Sequence, residues 1–134
     1  MKKRSIIIIT AVIAVVIPTV IACILWLFIP QSGTFSVEDY EEYIGFRNNF
    51  PDYSDTYFGA VDNKWTAAKV GAGFFKELHG KSERPITVRY DSENDMWLVT
   101  GYFWPGIFHN KKGGSANIII NASDGRLVAL WHGK

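Results

Sequence analysis

Several things that would declare a function are missing from this chain of 134 residues. It has one cysteine, Cys23, so no internal disulfide can form and any stability must come from packing. No G-x-S-x-G elbow is present, and Cys23 falls inside an apolar run, which leaves no nucleophile with a recognisable base. The three histidines, His79, His109 and His132, have no i, i+4 spacing and no cysteine beside them, so the motif grounds for a metal site are poor and neither metal nor cofactor is expected. Asp91, Glu93 and Asp95 alternate through a turn but lack the glycine and distal glutamate of a calcium loop, which reads as a solvated hairpin tip. No basic stripe of the kind that follows a phosphate backbone occurs, which excludes a nucleic-acid binder.

Charge is also absent from one long stretch. Residues 6–29 contain no charged side chain, enough at about 1.5 Å per helical residue to cross a hydrocarbon layer of about 30 Å. Lys2, Lys3 and Arg4 precede it and the next basic residue is Arg47, so the amino terminus is expected in the cytoplasm and the remainder outside the cell membrane as a single-pass protein. Cleavage as a signal peptide competes with this, as does lipidation at Cys23 in the lipobox-like Val20-Ile21-Ala22-Cys23. The run is long for either, and it stays apolar through Leu25-Trp26-Leu27-Phe28. The expected organisation is a basic tip over 1–5, a membrane anchor over 6–29, a linker over 30–36 and an extracytoplasmic domain over 37–134. With three basic residues ahead of the anchor, eleven remain against thirteen acidic ones, a formal charge of −2 for the outer part.

That outer part reads as α+β. Ser36 with Asp39 resembles a capping box opening a short helix over 37–46, followed by an irregular stretch in which Phe50, Tyr53, Tyr57 and Phe58 serve as aromatic anchors. Asp62 as N-cap and Gly80 as the residue past the end delimit a second helix over 63–79. Its expected inner side is Ala67, Ala68, Gly71, Ala72, Phe74, Phe75 and Leu78, with Gly71 serving close approach to a sheet. Four strands follow as an antiparallel meander: 86–90, 97–103, 116–120 and 127–131, with tight turns at Ser92–Asp95 and Ser123-Asp124-Gly125. Period two places Ile86, Val88, Tyr90, Trp97, Val99, Ala116, Ile118, Ile120, Leu127, Ala129 and Trp131 on the helix side. The other face, with Leu98, Tyr102, Ile119, Val128 and Leu130, is too apolar to be solvated, so the first helix with its aromatic loop, a second copy forming a homodimer, or a partner must cover it. Gly101 in mid-strand suggests a bend or bulge.

The order of certain residues is similar to one known family. A helix precedes Arg84-Pro85, then come Trp97, Val99 and Gly101, then Gly113-Gly114 before an isoleucine strand, then Asp124-Gly125 and a terminal His132-Gly133-Lys134. Over roughly 67–134 this resembles the immunity proteins of bacterial polymorphic toxin systems with a nuclear-transport-factor-2-like fold. The resemblance implies a cystatin-like half-cone, a helix packed on the four-stranded meander, and a non-catalytic role in which a cognate protein toxin is bound and neutralised. A cell-envelope accessory or protease-regulatory module acting on a neighbouring envelope protein is the alternative, and a small-molecule enzyme using Tyr90 and Tyr102 in a pocket is third. The best contact candidate is the loop with Trp104, Ile107, Phe108, Lys111 and Lys112, large apolar groups stiffened by Pro105 and rimmed by lysines.

Overall fold

The computed structural model describes residues 2–44, 53, 55–80, 85–102 and 114–133, with side chains from residue 9 onward. An apolar helix, α1 (Lys2–Phe28), leads into a short strand β1 (Gln31–Thr34), a 3-10 segment (Val37–Tyr43), the helix α2 (Lys64–His79) and four further strands. These are β2 (Ile86–Asp91), β3 (Met96–Tyr102), β4 (Ser115–Asn121) and β5 (Leu127–Gly133). Within α1, the 20 residues Ile9–Phe28 are long and apolar enough to cross a membrane.

The sheet has five strands in sequence order, not the four expected. Four form the antiparallel meander, and the fifth comes from the stretch read as linker: β1 pairs in parallel with β2, from Gln31 opposite Thr87 to Thr34 opposite Tyr90. Gln31-Ser32-Gly33-Thr34 has no apolar alternation to betray it, since all four residues are exposed on an edge and only their backbone is used. The pairing also sets direction. The chain leaves α1 at the Ile86 end of β2, so the turns at 92–95 and 122–125 lie at the opposite end of the sheet.

Packing of α2 follows its sequence. Ala67, Ala68, Gly71, Phe74 and Phe75 are buried, and Ala72 and Leu78 pack beside them at half depth. The N-cap is Asn63 rather than Asp62: its Oδ1 accepts from the N–H groups of Trp65 and Thr66, each at 3.0 Å. Gly80 closes the helix with φ of 73°, where its N–H donates to the Lys76 carbonyl. A Cβ built on Gly71 would overlap Val99 Cγ1, so the expected close approach is real, whereas one on Gly73 would meet open space.

Under α2 lie Ile86, Val88, Val99, Ala116, Ile118, Ile120, Leu127 and Leu130, closed at the edge by Val61 and half-buried Trp97. Three expected sides fail in β5. Ala129 and Trp131 point to the outer face and Leu130 to the helix side, because the register shifts between Ile119 and Ile120. Ile119 pairs with Ala129 and Ile120 with Leu127, leaving Val128 as the extra residue of a bulge that inverts the alternation beyond it. No shift occurs at Gly101, which pairs in register with Ile86 and Ala116.

The outer face is roofed by the chain itself. Phe35, Val37 and Tyr40 pack on Leu98, Ile119 and Ala129, and Tyr43 stacks on Trp131 with centroids 4.5 Å apart. The aromatic loop goes elsewhere: Tyr53 and Phe58 meet Phe74 edge-on from the helix side, at 5.3 and 5.8 Å. The roof is a 3-10 segment rather than the expected α-helix, with non-helical φ at Tyr40 of −123°. Ser36 stands at its N-cap without a side-chain bond. A residue from another strand does that work: Asp91 Oδ2 accepts the Val37 N–H at 2.8 Å.

Candidate partner-binding surface

The five expected contact residues, Trp104, Ile107, Phe108, Lys111 and Lys112, lie outside the described residues, as do Gly113 and Lys134 of the family pattern. The other pattern residues are placed. Trp97 donates its indole N–H to the Val61 carbonyl at 2.8 Å and packs on Tyr90, with centroids 4.5 Å apart. Val99 fills the space left by Gly71, and Gly101 lies buried between strands. Gly114 directly precedes β4. Asp124 Oδ1 accepts the Arg126 N–H at 2.9 Å, and Gly125 has φ of 68° with the Gly59 backbone where a Cβ would go.

Both hairpin turns and the segment leading into α2, Val61 and Asp62, converge at the end of the sheet opposite Ile86. The Ala122 N–H donates to the Asp95 carbonyl and the Val61 N–H to the Ala122 carbonyl, each at 2.8 Å, which ties the three together. Between them is an open cleft of about 430 Å³ lined by Val61, Asp62, Tyr90, Asp95, Trp97, Ala122 and Ser123. The Tyr90 hydroxyl donates to Asp95 Oδ1 at 2.6 Å, and that bond, with burial second, raises the phenol pKa and keeps it neutral. Asp62, Glu93, Asp95 and Asp124 are exposed around this end, with Arg126 as the cation within the second turn. An aromatic wall beside carboxylates suits a cationic side chain. Ser123 offers no nucleophile here, since its hydroxyl donates to Asn121 Oδ1 at 2.6 Å.

Asp91 does not belong to this exposed set. It is 4% exposed, and besides Val37 its oxygens accept from the Glu93 and Asn94 N–H groups at 3.0 and 3.2 Å and from the Asn94 amide at 3.0 Å. Burial pushes the carboxyl upward, but the bonds from Val37, Asn94 and Glu93 outweigh it and hold the pKa below 3.8. The hairpin tip is thus organised by a buried anion where a solvated one was expected.

Tyr90 and Tyr102, imagined as lining one pocket, stand at opposite ends of their strands, Tyr90 opposite Trp97 and Tyr102 opposite Ser115. The hollow of the sheet is occupied by Phe74 and Phe75, 5% and 0% exposed. A Phe75→Ala variant is accordingly expected to lose about 3–5 kcal/mol in thermal or denaturant unfolding.

One juxtaposition had no signal in the sequence. His79 and His132 meet with Nε2 atoms 2.8 Å apart, and burial lowers the pKa of His132. The inverted phase of β5 is what turns His132, like Leu130, toward α2.

Comparison with known proteins finds one family similar to the part of the chain from within α2 through β5. The model described as NTF2 fold immunity protein matches residues 70–134. No curated protein and no solved structure matches the chain.

Proposed function

We propose, from the match of residues 70–134 to the NTF2 fold immunity proteins, that this chain binds a cognate protein toxin and neutralises it by direct contact, without catalysis. The family match is the observation that carries this. The apolar helix α1 anchors the chain in the cell membrane, with the basic residues 2–4 on the cytoplasmic side and the folded domain outside. In that orientation the acidic end of the sheet, with its cleft beside Tyr90 and Trp97, faces away from the membrane. It is complementary to a basic toxin surface, whose approach it accelerates by long-range attraction.

The stretch over 104–112 supplies the apolar anchor of the contact. Trp104→Ala and Phe108→Ala should each weaken toxin binding by about tenfold or more while leaving the melting temperature nearly unchanged. A large fall in melting temperature would mean that these side chains belong to the core. Asp62, exposed at the rim of the cleft, is expected to act on association: Asp62→Lys should slow it several-fold at low salt and make little difference at high salt, as stopped-flow binding would read.

Affinity capture tests the proposal. The full chain, immobilised in detergent, is exposed to secreted and envelope fractions of the source cells, and bound proteins are identified by mass. One dominant, stoichiometric toxin is the expected result. Capture of resident envelope enzymes alone would favour an accessory module instead.

A further inference from the structure

At the end of the sheet where α1 joins, two imidazoles that lie 53 residues apart in sequence face each other. His79 is the last residue of α2, and His132 stands on β5 opposite Ala116. Their Nε2 atoms are 2.8 Å apart, with ring centroids at 4.9 Å and planes at 46°. At that distance one ring N–H donates to the lone pair of the other ring. The two rings are not both imidazolium, and one neutral nitrogen is always aimed into the gap.

We propose that His79 and His132 form a binding site for one divalent late transition-metal ion of the zinc, copper and nickel class, the ion taking the place of the proton between the rings, which passes to Nδ1 of the ring that carried it. Imidazole nitrogen is a preferred ligand of these ions at about 2.0–2.1 Å. Two nitrogens at that bond length subtend about 90° when they are roughly 2.9 Å apart, the angle between neighbouring positions of a square-planar or octahedral ion. The observed 2.8 Å is close to this before any adjustment. Tetrahedral zinc needs about 3.3 Å, an opening of roughly half an ångström that the histidine side chains absorb. Ring placement needs a small adjustment. With the ion in line with each ring, a 90° angle puts the centroids roughly 4.4 Å apart and a tetrahedral one roughly 5.2 Å, so from the observed 4.9 Å the rings tilt or part by a few tenths of an ångström to reach either.

The described residues hold no group of three or more histidine, cysteine or carboxylate ligands, so the site is an open one. His132 is exposed and His79 half-buried, which leaves the remaining coordination positions to water or to a donor from a docked protein. A bound ion would join the end of α2 to the end of β5 in place of the hydrogen bond between the rings. The site stands independently of the toxin-binding proposal, on its own geometry.

The test uses the full chain without a polyhistidine tag, in detergent micelles, titrated with Zn²⁺ and with Cu²⁺ by calorimetry at pH 7.5. One equivalent should bind, and the unfolding midpoint should rise with metal concentration because the ion binds the folded pair. His79→Gln and His132→Gln should each weaken binding by at least about tenfold. Paramagnetic resonance of the Cu²⁺ complex should show two coordinated imidazole nitrogens, a readout that needs no variant. Absence of saturable binding at millimolar metal, equal binding by the double variant, or fewer than two imidazole nitrogens would each overturn the site.

Discussion

Replacing Asp91 by alanine is expected to cost about 3–4 kcal/mol, enough to lower the unfolding midpoint of a domain this size by well over 10 °C or so. The reason is that one buried carboxylate serves two distant segments at once. It organises the 92–95 turn through the Glu93 and Asn94 N–H groups, and it receives the first N–H of the segment that roofs the outer face. Without it the Val37 N–H remains buried and unpaired, and the turn loses its internal acceptor. Asp91→Asn keeps some acceptor capacity but not the charge, so about half the loss is expected. The effect also has a pH signature. Because the folded pKa is held below 3.8, the carboxylate stabilises the fold fully above the unfolded value of about 3.9. The contribution fades as pH falls through the lower folded value. Unfolding followed by tryptophan fluorescence should therefore show a constant gap between wild type and Asp91→Asn from pH 7 to 5, closing below about pH 4.

Two glycines two residues apart in α2 should respond with opposite sign. Gly71→Ala gains about 1 kcal/mol of helix propensity, but its methyl lands on Val99 Cγ1 in a fully buried part of the core. Valine is stiff about χ1 and the strand beneath it is paired on both sides, so neither can yield cheaply. A net loss of about 1–3 kcal/mol is expected, and more for a larger side chain. Gly73→Ala, two positions on and facing open space, should instead stabilise by about 0.5–1 kcal/mol. The pairing with Val99 can be isolated by a double-mutant cycle, in which Val99→Ala removes most of the penalty at Gly71. Equal and favourable effects at both glycines would mean that α2 does not sit this close to β3.

Much of this fold was readable because local pattern and tertiary role coincide. The face of α2, the meander, the Gly80 and Gly125 positions and the two tight turns all follow from periodicity and from residues suited to their backbone. What escaped was held by contacts that leave no local trace. Strand β1 uses only its backbone, so Gln31–Thr34 carries no apolar code. The phase of β5 depends on a bulge that Val128 does not announce, and with it went the sides of Ala129, Leu130 and Trp131. Asp91 read as one acid among three because its main partner, Val37, is 54 residues away. The same is true of the histidine pair, which exists only because a helix end and an inverted strand end meet.

For function, the order of weak motifs from Trp97 to the final His-Gly-Lys pointed to the family that matches residues 70–134. Site residues were less legible, since recognition surfaces have no fixed spacing. The acidic cleft combines residues from the segment before α2, from β2, β3 and both turns, which no linear window contains.

The most direct measurement is neutralisation inside cells. The toxin obtained by capture is produced with an export signal under an inducible promoter, so that it meets the outer side of the membrane, with or without the full chain and with a variant lacking residues 70–134. The full chain should restore growth and the truncated one should not, while purified full chain in micelles suppresses the toxin's activity at about equimolar ratio. Growth arrest that persists despite abundant full chain, together with undiminished toxin activity in vitro, would contradict the immunity function.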